Sequence, residues 1–126
     1  MKLHLGCGSR HIPGWINIDI RDDVVVDRIE SVDSMPSISD GAASVIYACH
    51  VLEHFPRSRT VAVLDEWHRI LKPGGTLRVA VPDFGAIARY YLATLDLEIL
   101  LGMLYGRQDY LENTHFTAFD FVTLKR

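Results

Sequence analysis

An α/β fold, with a mostly parallel sheet of five strands flanked by helices, is what this sequence predicts, on three observations. Short apolar, strand-like runs alternate with a segment of clear helical spacing. Glycine, or proline beside glycine, interrupts the chain between the runs. A chain of 126 residues that is 48% apolar and 23% charged is long enough to bury a core without disulfides or a structural metal. In such sheets ligands bind outside the carboxyl ends of the strands, near the point where strand order reverses, so function is expected there.

Taken in order, residues 2–6 (KLHLG) form a short apolar run that stops at glycine, a buried strand entering a tight turn. Pro13 and Gly14 break the chain before a second strand at 15–20 (WINIDI), which ends in the acid-rich Arg21 to Asp23. The β-branched run 24–29 (VVVDRI) predicts a brief third strand, and turn-forming PSISDG at 36–41 leads to a fourth at 44–50 (SVIYACH). Between 58 and 71, Val61, Leu64, Trp67, Ile70 and Leu71 recur at helical spacing and Lys72-Pro73-Gly74-Gly75 ends the helix. A fifth strand at 76–83 is stopped by Pro82, and Asp83 is placed to cap one long helix running to about Gly106. No repeat, low-complexity tract or linker divides the chain, so a single domain over 1–126 is expected.

Composition narrows the function classes. Thirteen basic residues stand against 16 acidic ones, net −3, and they are too scattered to track a phosphate backbone, which argues against a nucleic-acid partner. No apolar run approaches the roughly 18 residues needed to span a bilayer, and the N-terminus lacks the apolar core of a secretory signal. Neither membrane association nor export is expected. The two cysteines, Cys7 and Cys49, make no disulfide framework, which favours a reducing, cytoplasmic setting.

The chemistry concentrates at two points. Gly6-Cys7-Gly8 follows the first strand directly, where missing side chains let the backbone approach a ligand; on its own such a turn is equally a loop. Asp19, 13 positions beyond Gly6 at the end of the second strand, can accept hydrogen bonds from both hydroxyls of a ribose, or can be a solvated strand-end acid. The dinucleotide fingerprint is not met: its third glycine position is His11, Pro13 and Gly14 stand where a helix should open, and the acid comes earlier than the usual roughly 20 residues. A nucleoside without a pyrophosphate fits better.

LHLGCGSRHIPGWINIDI, VDSMPSISDGAASVIYACHVLEHF and LDEWHRILKPGGTLRVAVPDF together resemble the small class I S-adenosylmethionine-dependent methyltransferases, over residues 2–84. The resemblance implies a Rossmann-like fold, S-adenosylmethionine as cofactor and methyl transfer to an acceptor, here expected to be a small molecule. It implies that Gly6, Cys7 and Gly8 approach the methionine part of the cofactor and that Asp19 holds the ribose hydroxyls. Asp33, with Asp27 as its rival, would face the adenine amino group, and His50 would line the pocket near the transferred methyl. The chain departs from the family pattern in three ways: Leu3 or His4 replaces the usual acid of the first motif, the helix after that motif is reduced to a turn, and the two strands usually added after the fifth are missing. A truncated or unusually short member is implied, its fifth-strand edge covered by the long helix, a homodimer partner or a continuation.

Two other readings stand beside this one. A non-catalytic nucleoside-binding or interaction module would keep the glycine turn and Asp19 without turnover. His50-Val51-Leu52-Glu53-His54 spells the H-x-x-E-H pattern of a zinc hydrolase, but that pattern needs one helix spanning both histidines, whereas His50 ends a strand and Pro56 follows closely. His4, His11, His68 and His115 are scattered and read as solvated or hydrogen-bonded side chains. If the acceptor is a hydroxyl, His50, His54, Asp83 and His115 are the candidate general bases, and the sequence does not choose among them.

Overall fold

A computed structural model describes residues 1–125. Its strands are β1 (Lys2–Leu5), β2 (Ile16–Asp19), β3 (Arg28–Ile29), β4 (Ala43–Cys49) and β5 (Leu71–Ala80). They form one parallel sheet in the spatial order β3-β2-β1-β4-β5. The helices are α1 (Thr60–Ile70), α2 (Phe84–Thr94), α3 (Leu97–Tyr105) and α4 (Phe121–Leu124), with short 3-10 turns at Leu52–His54, Arg57–Arg59 and Leu111–Asn113. The chain steps outward from β1 through β2 to β3, then returns to place β4 on the other side of β1. That reversal puts the loops after β1 and β4 side by side, which is where an open parallel sheet opens a ligand crevice.

The central strand is buried on both faces, as parallel sheets require. Leu3 pairs with Ile16 and Ile46, and Leu5 with Ile18 and Ala48; Leu3, Leu5, Ile18 and Ile46 are fully buried. α1 lays Val63, Trp67 and Ile70 against this core. That spacing of four and three residues presents one helical face. The indole of Trp67 donates to the Val32 carbonyl at 2.9 Å, which satisfies its one polar atom inside an apolar layer.

Three elements depart from expectation. The third strand shrinks to Arg28–Ile29 because the Asp27 carboxylate takes the Asn17 N–H at 2.7 Å, the donor a longer β3 would have paired. The single long helix is two helices. Leu95 adopts a left-handed backbone, φ 56°, at the end of α2, and the Asp96 carboxylate then caps α3 by accepting from the Ile99 N–H. β5 begins earlier than expected: Ala43 faces Leu71 and Val45 faces Thr76, with Lys72-Pro73-Gly74-Gly75 bulging out between the two paired positions. Asp83 caps α2 as expected, accepting from the Gly85 N–H at 3.0 Å.

No helix among the described residues is long and apolar enough to cross a membrane. β5 lies at the sheet edge. Beyond it, Asp83 bridges Phe119, and the Phe84 N–H donates to the Phe119 carbonyl at 2.7 Å. This contact brings the 110–120 segment back over the strand ends.

Candidate functional site

The glycine turn and the loop after β4 are in contact. Gly6 has φ +59°, and a Cβ there would stand 2.5 Å from Val51 Cγ2, so both conformation and space call for glycine. Gly8 has φ +51° and open space around it; there the backbone angle alone makes the demand. The Cys7 N–H donates to the Ile18 carbonyl at 3.1 Å and ties the turn to β2. Asp19, 7% exposed, closes the arrangement: its Oδ2 accepts from the Gly8 N–H at 2.7 Å and its Oδ1 from the Arg21 N–H at 3.0 Å. A carboxylate offers about four acceptor positions, so each oxygen keeps capacity for a ligand hydroxyl.

On the other side of β1, His50 follows β4 with φ +57°. Its N–H donates to the Ala80 carbonyl at 2.9 Å, which holds the strained residue in place. Its imidazole Nδ1 lies 3.0 Å from a carboxylate oxygen of the buried Glu53.

Two cavities open over these strand ends. One, of about 440 Å³, is walled by Gly6, Gly8, Asp19, Val32, His50 and Phe116 among others. The other, about 1290 Å³, shares Gly6, Gly8, Arg21, His50, His54 and Tyr110 with the first and extends to Asp83, Tyr90 and His115. Much of the roof comes from the segment after α3. Arg21 stacks its guanidinium over the Tyr110 ring at 4.3 Å. The Phe116 and Thr117 N–H groups donate to the Glu53 carbonyl at 2.8 and 3.2 Å.

The family model described as "Methyltransferase domain" matches residues 3–79, from β1 into β5. The chain belongs to the methyltransferase-domain family. A crystal structure of a SAM-dependent methyltransferase from Archaeoglobus fulgidus is similar in fold, with a TM-score of 0.64 and 18% identity. The similarity covers 98% of this chain and 56% of that one; this chain thus spans little more than half the length of that relative. Among curated proteins none matches.

Within this methyltransferase domain, the residues expected from sequence fall into two groups. Gly6, Gly8, Asp19 and His50 line the smaller cavity, and Cys7 lines the wider cleft. The Cys7 thiol is pushed up to about 11 by burial and by the nearby Asp19 charge, so it stays protonated at neutral pH and is no nucleophile. Asp33 and Asp27 are not among the described residues that line either cavity. Asp33 accepts from the Ser31 hydroxyl and from Arg59, one residue beyond the lining pair Ser31 and Val32. Asp27 serves Asn17: hydrogen bonds from the Asn17 backbone and side chain hold its carboxyl below the usual range.

The zinc-hydrolase string does not form its motif. Leu52–His54 is a single 3-10 turn, and His50 hydrogen-bonds Glu53 instead of sharing a helical face with His54. Sequence reasoning missed Arg21, Tyr110 and Phe116 as cavity residues. Arg21 was legible as the residue just past a strand end, but nothing periodic marks 110–117 as a roof.

Proposed function

We propose that this chain binds S-adenosylmethionine in the smaller cavity and transfers its methyl group to a small-molecule acceptor in the wider cleft. The observation that carries this reading is Asp19: a buried carboxylate held by two backbone N–H groups, with acceptor capacity left over, on the wall of a cavity that also contains a side-chain-free turn. That pair of acceptor oxygens suits the two hydroxyls of a vicinal diol, and about 440 Å³ falls in the usual range for small-ligand cavities. Asp19 would hold the ribose hydroxyls, and the Gly6–Gly8 turn would lie along the methionine part. Ser31 and Val32 would flank the adenine, with Asp33 next to them. His50, which lines both cavities, would stand near the transferred methyl.

Bound there, S-adenosylmethionine supplies a methyl group already activated by its sulfonium charge. The protein's contribution is then alignment and exclusion of water. Holding donor and acceptor in attack geometry removes on the order of 7–11 kcal/mol of barrier, and the apolar walls given by Val32, Val51 and Phe116 limit competing hydration.

Calorimetric titration of S-adenosylmethionine and S-adenosylhomocysteine into the chain tests the reading. Micromolar affinity, about 8 kcal/mol, is expected for the native chain and its loss for Asp19→Ala. No binding by a folded sample would overturn it. Release of S-adenosylhomocysteine with a library of small acceptors supports transfer, whereas binding without turnover across the library would point to the non-catalytic module.

A further inference from the structure

Glu53, His54 and His115 converge beside the wider cleft in a way that the cofactor reading does not use. We propose that these three side chains form a binding site for a divalent transition-metal cation of the zinc class, with its open coordination position facing that cleft. His54 and His115 lie 61 residues apart in sequence, yet one potential ligand atom from each residue lies within 4.8 Å of the others. An ion about 2.1 Å from each ligand holds tetrahedral neighbours roughly 3.4 Å apart. To hold an ion the ligand atoms would draw together by up to about 1.4 Å.

Backbone carbonyls orient both imidazoles, and that of Glu112 also faces the His54 ring. His54 Nδ1 lies 3.2 Å from the Thr114 carbonyl, and His115 Nδ1 lies 3.0 Å from the Met103 carbonyl. A carbonyl only accepts, so both Nδ1 atoms carry the proton and both Nε2 atoms present lone pairs. Backbone carbonyls often orient metal-binding imidazoles in this way. Glu53 is 1% exposed; one carboxylate oxygen takes the His50 contact, and the other, Oε2, is buried with no hydrogen-bond partner among the described residues. A buried acceptor left alone is unfavourable, and a cation would satisfy it. The edge-to-face packing of the His54 and His115 rings, 4.7 Å between centroids, accounts for their proximity but not for the lone carboxylate oxygen.

The ligand set of two histidines and one carboxylate leaves at least one position for water or substrate. His54 and His115 both line the wider cleft, so that position looks toward the proposed acceptor. Resting on the methyl-transfer reading, this favours acceptors that bring a hydroxyl, because a metal lowers the pKa of an oxygen bound to it. Under this assignment His54 and His115 are ligands rather than general bases.

The test is to strip the full chain with chelator, dialyse it against Zn²⁺, and count bound metal by elemental analysis, with Co²⁺ as a spectroscopic probe. One equivalent of zinc and visible Co²⁺ bands of low-coordinate N/O ligation are expected. His115→Ala and Glu53→Gln should each weaken binding at least tenfold, while exposed His68→Ala keeps full stoichiometry. Circular dichroism checks that each variant is folded; if Glu53→Gln is not, His115→Ala and the cobalt spectrum decide. A folded native chain with no stoichiometric zinc overturns the proposal, as does binding that folded His115→Ala retains in full. S-adenosylmethionine titration of the same samples separates the two readings. Asp19→Ala should lose the nucleoside and keep the zinc, and His115→Ala the reverse. Failure of the nucleoside with zinc retained would remove only the cofactor reading.

Discussion

At the scale of single residues, the site is held by backbone demands that few side chains can meet. Gly6 combines a left-handed backbone with a Cβ position 2.5 Å from buried Val51. Gly6→Ala therefore suffers both the left-handed penalty and overpacking against a branched side chain with little room to turn. A loss of about 2–4 kcal/mol is expected in urea unfolding, together with weaker nucleoside binding; an unchanged midpoint would show that the turn relaxes freely. His50 carries similar backbone strain without being glycine. Its N–H bond to Ala80 and its contact with Glu53 hold it there. The glycine turn and Asp19 were legible in the sequence, because a strand end followed by glycine or by an acid is a local signal; His50 was expected only from the family resemblance.

At the scale of elements, the departures from expectation arise where a local pattern continued through a break. The apolar residues of 84–106 run on past Leu95, yet the chain turns there, with the Thr94 hydroxyl accepting from the Asp96 N–H at 3.2 Å and Asp96 capping the next helix. Leu95 is exposed and left-handed. Leu95→Gly should raise stability by about 0.5–1 kcal/mol, the relief of the left-handed backbone less the entropy of glycine. Leu95→Val should lower it. Thermal melts of the two variants check the sign, and a stabilising valine would mean that the turn is not the seat of strain. The shortened β3 has a comparable cause: Asp27 replaces a ladder partner with its side chain, and period-two reasoning cannot see a carboxylate substituting for a carbonyl.

At the scale of the whole molecule, long-range polar ties fasten the connections to the sheet layer. Arg69 of α1 donates to the Met35 and Ile38 carbonyls and to Glu66 and Asp40, while Glu66 accepts from the Met35 N–H at 2.7 Å. The hydrogen bond from Arg69, then that from Met35, holds the Glu66 carboxyl below its ordinary value of 4.5. A lowered carboxylate pKa adds stability that is complete above the unfolded value and is lost as pH falls through the folded one. Glu66→Gln should thus cost about 1–2 kcal/mol at pH 7, and the gap to the native chain should narrow as pH drops below 4.5. Urea unfolding at pH 7 and pH 3.5 checks this; a gap independent of pH would show that charge is not what Glu66 contributes. α3 is held differently: it buries none of its residues and leaves Leu97, Ile99, Leu101 and Met103 exposed, and its Met103 and Tyr105 carbonyls accept from the His115 ring and N–H.

The sequence by itself determined the parallel α/β sheet, the α1 helix with Trp67 and Ile70 inward, the glycine turn and the strand-end carboxylate, though Val63 and not the exposed Val61 completes the buried face. Each of these is written in neighbouring residues, as a period, a run or a stop. Only the tertiary structure decided which distant groups meet. The strand order, with β4 returning beside β1, set the Gly6 turn against Val51 and His50. The backbone bonds of Phe116 and Thr117 to Glu53 then carried His115 to His54, across a separation that no local pattern records. Such contacts depend on the summed path of the intervening chain, and for that reason the roof of the cleft and the Glu53, His54 and His115 cluster were visible only in three dimensions.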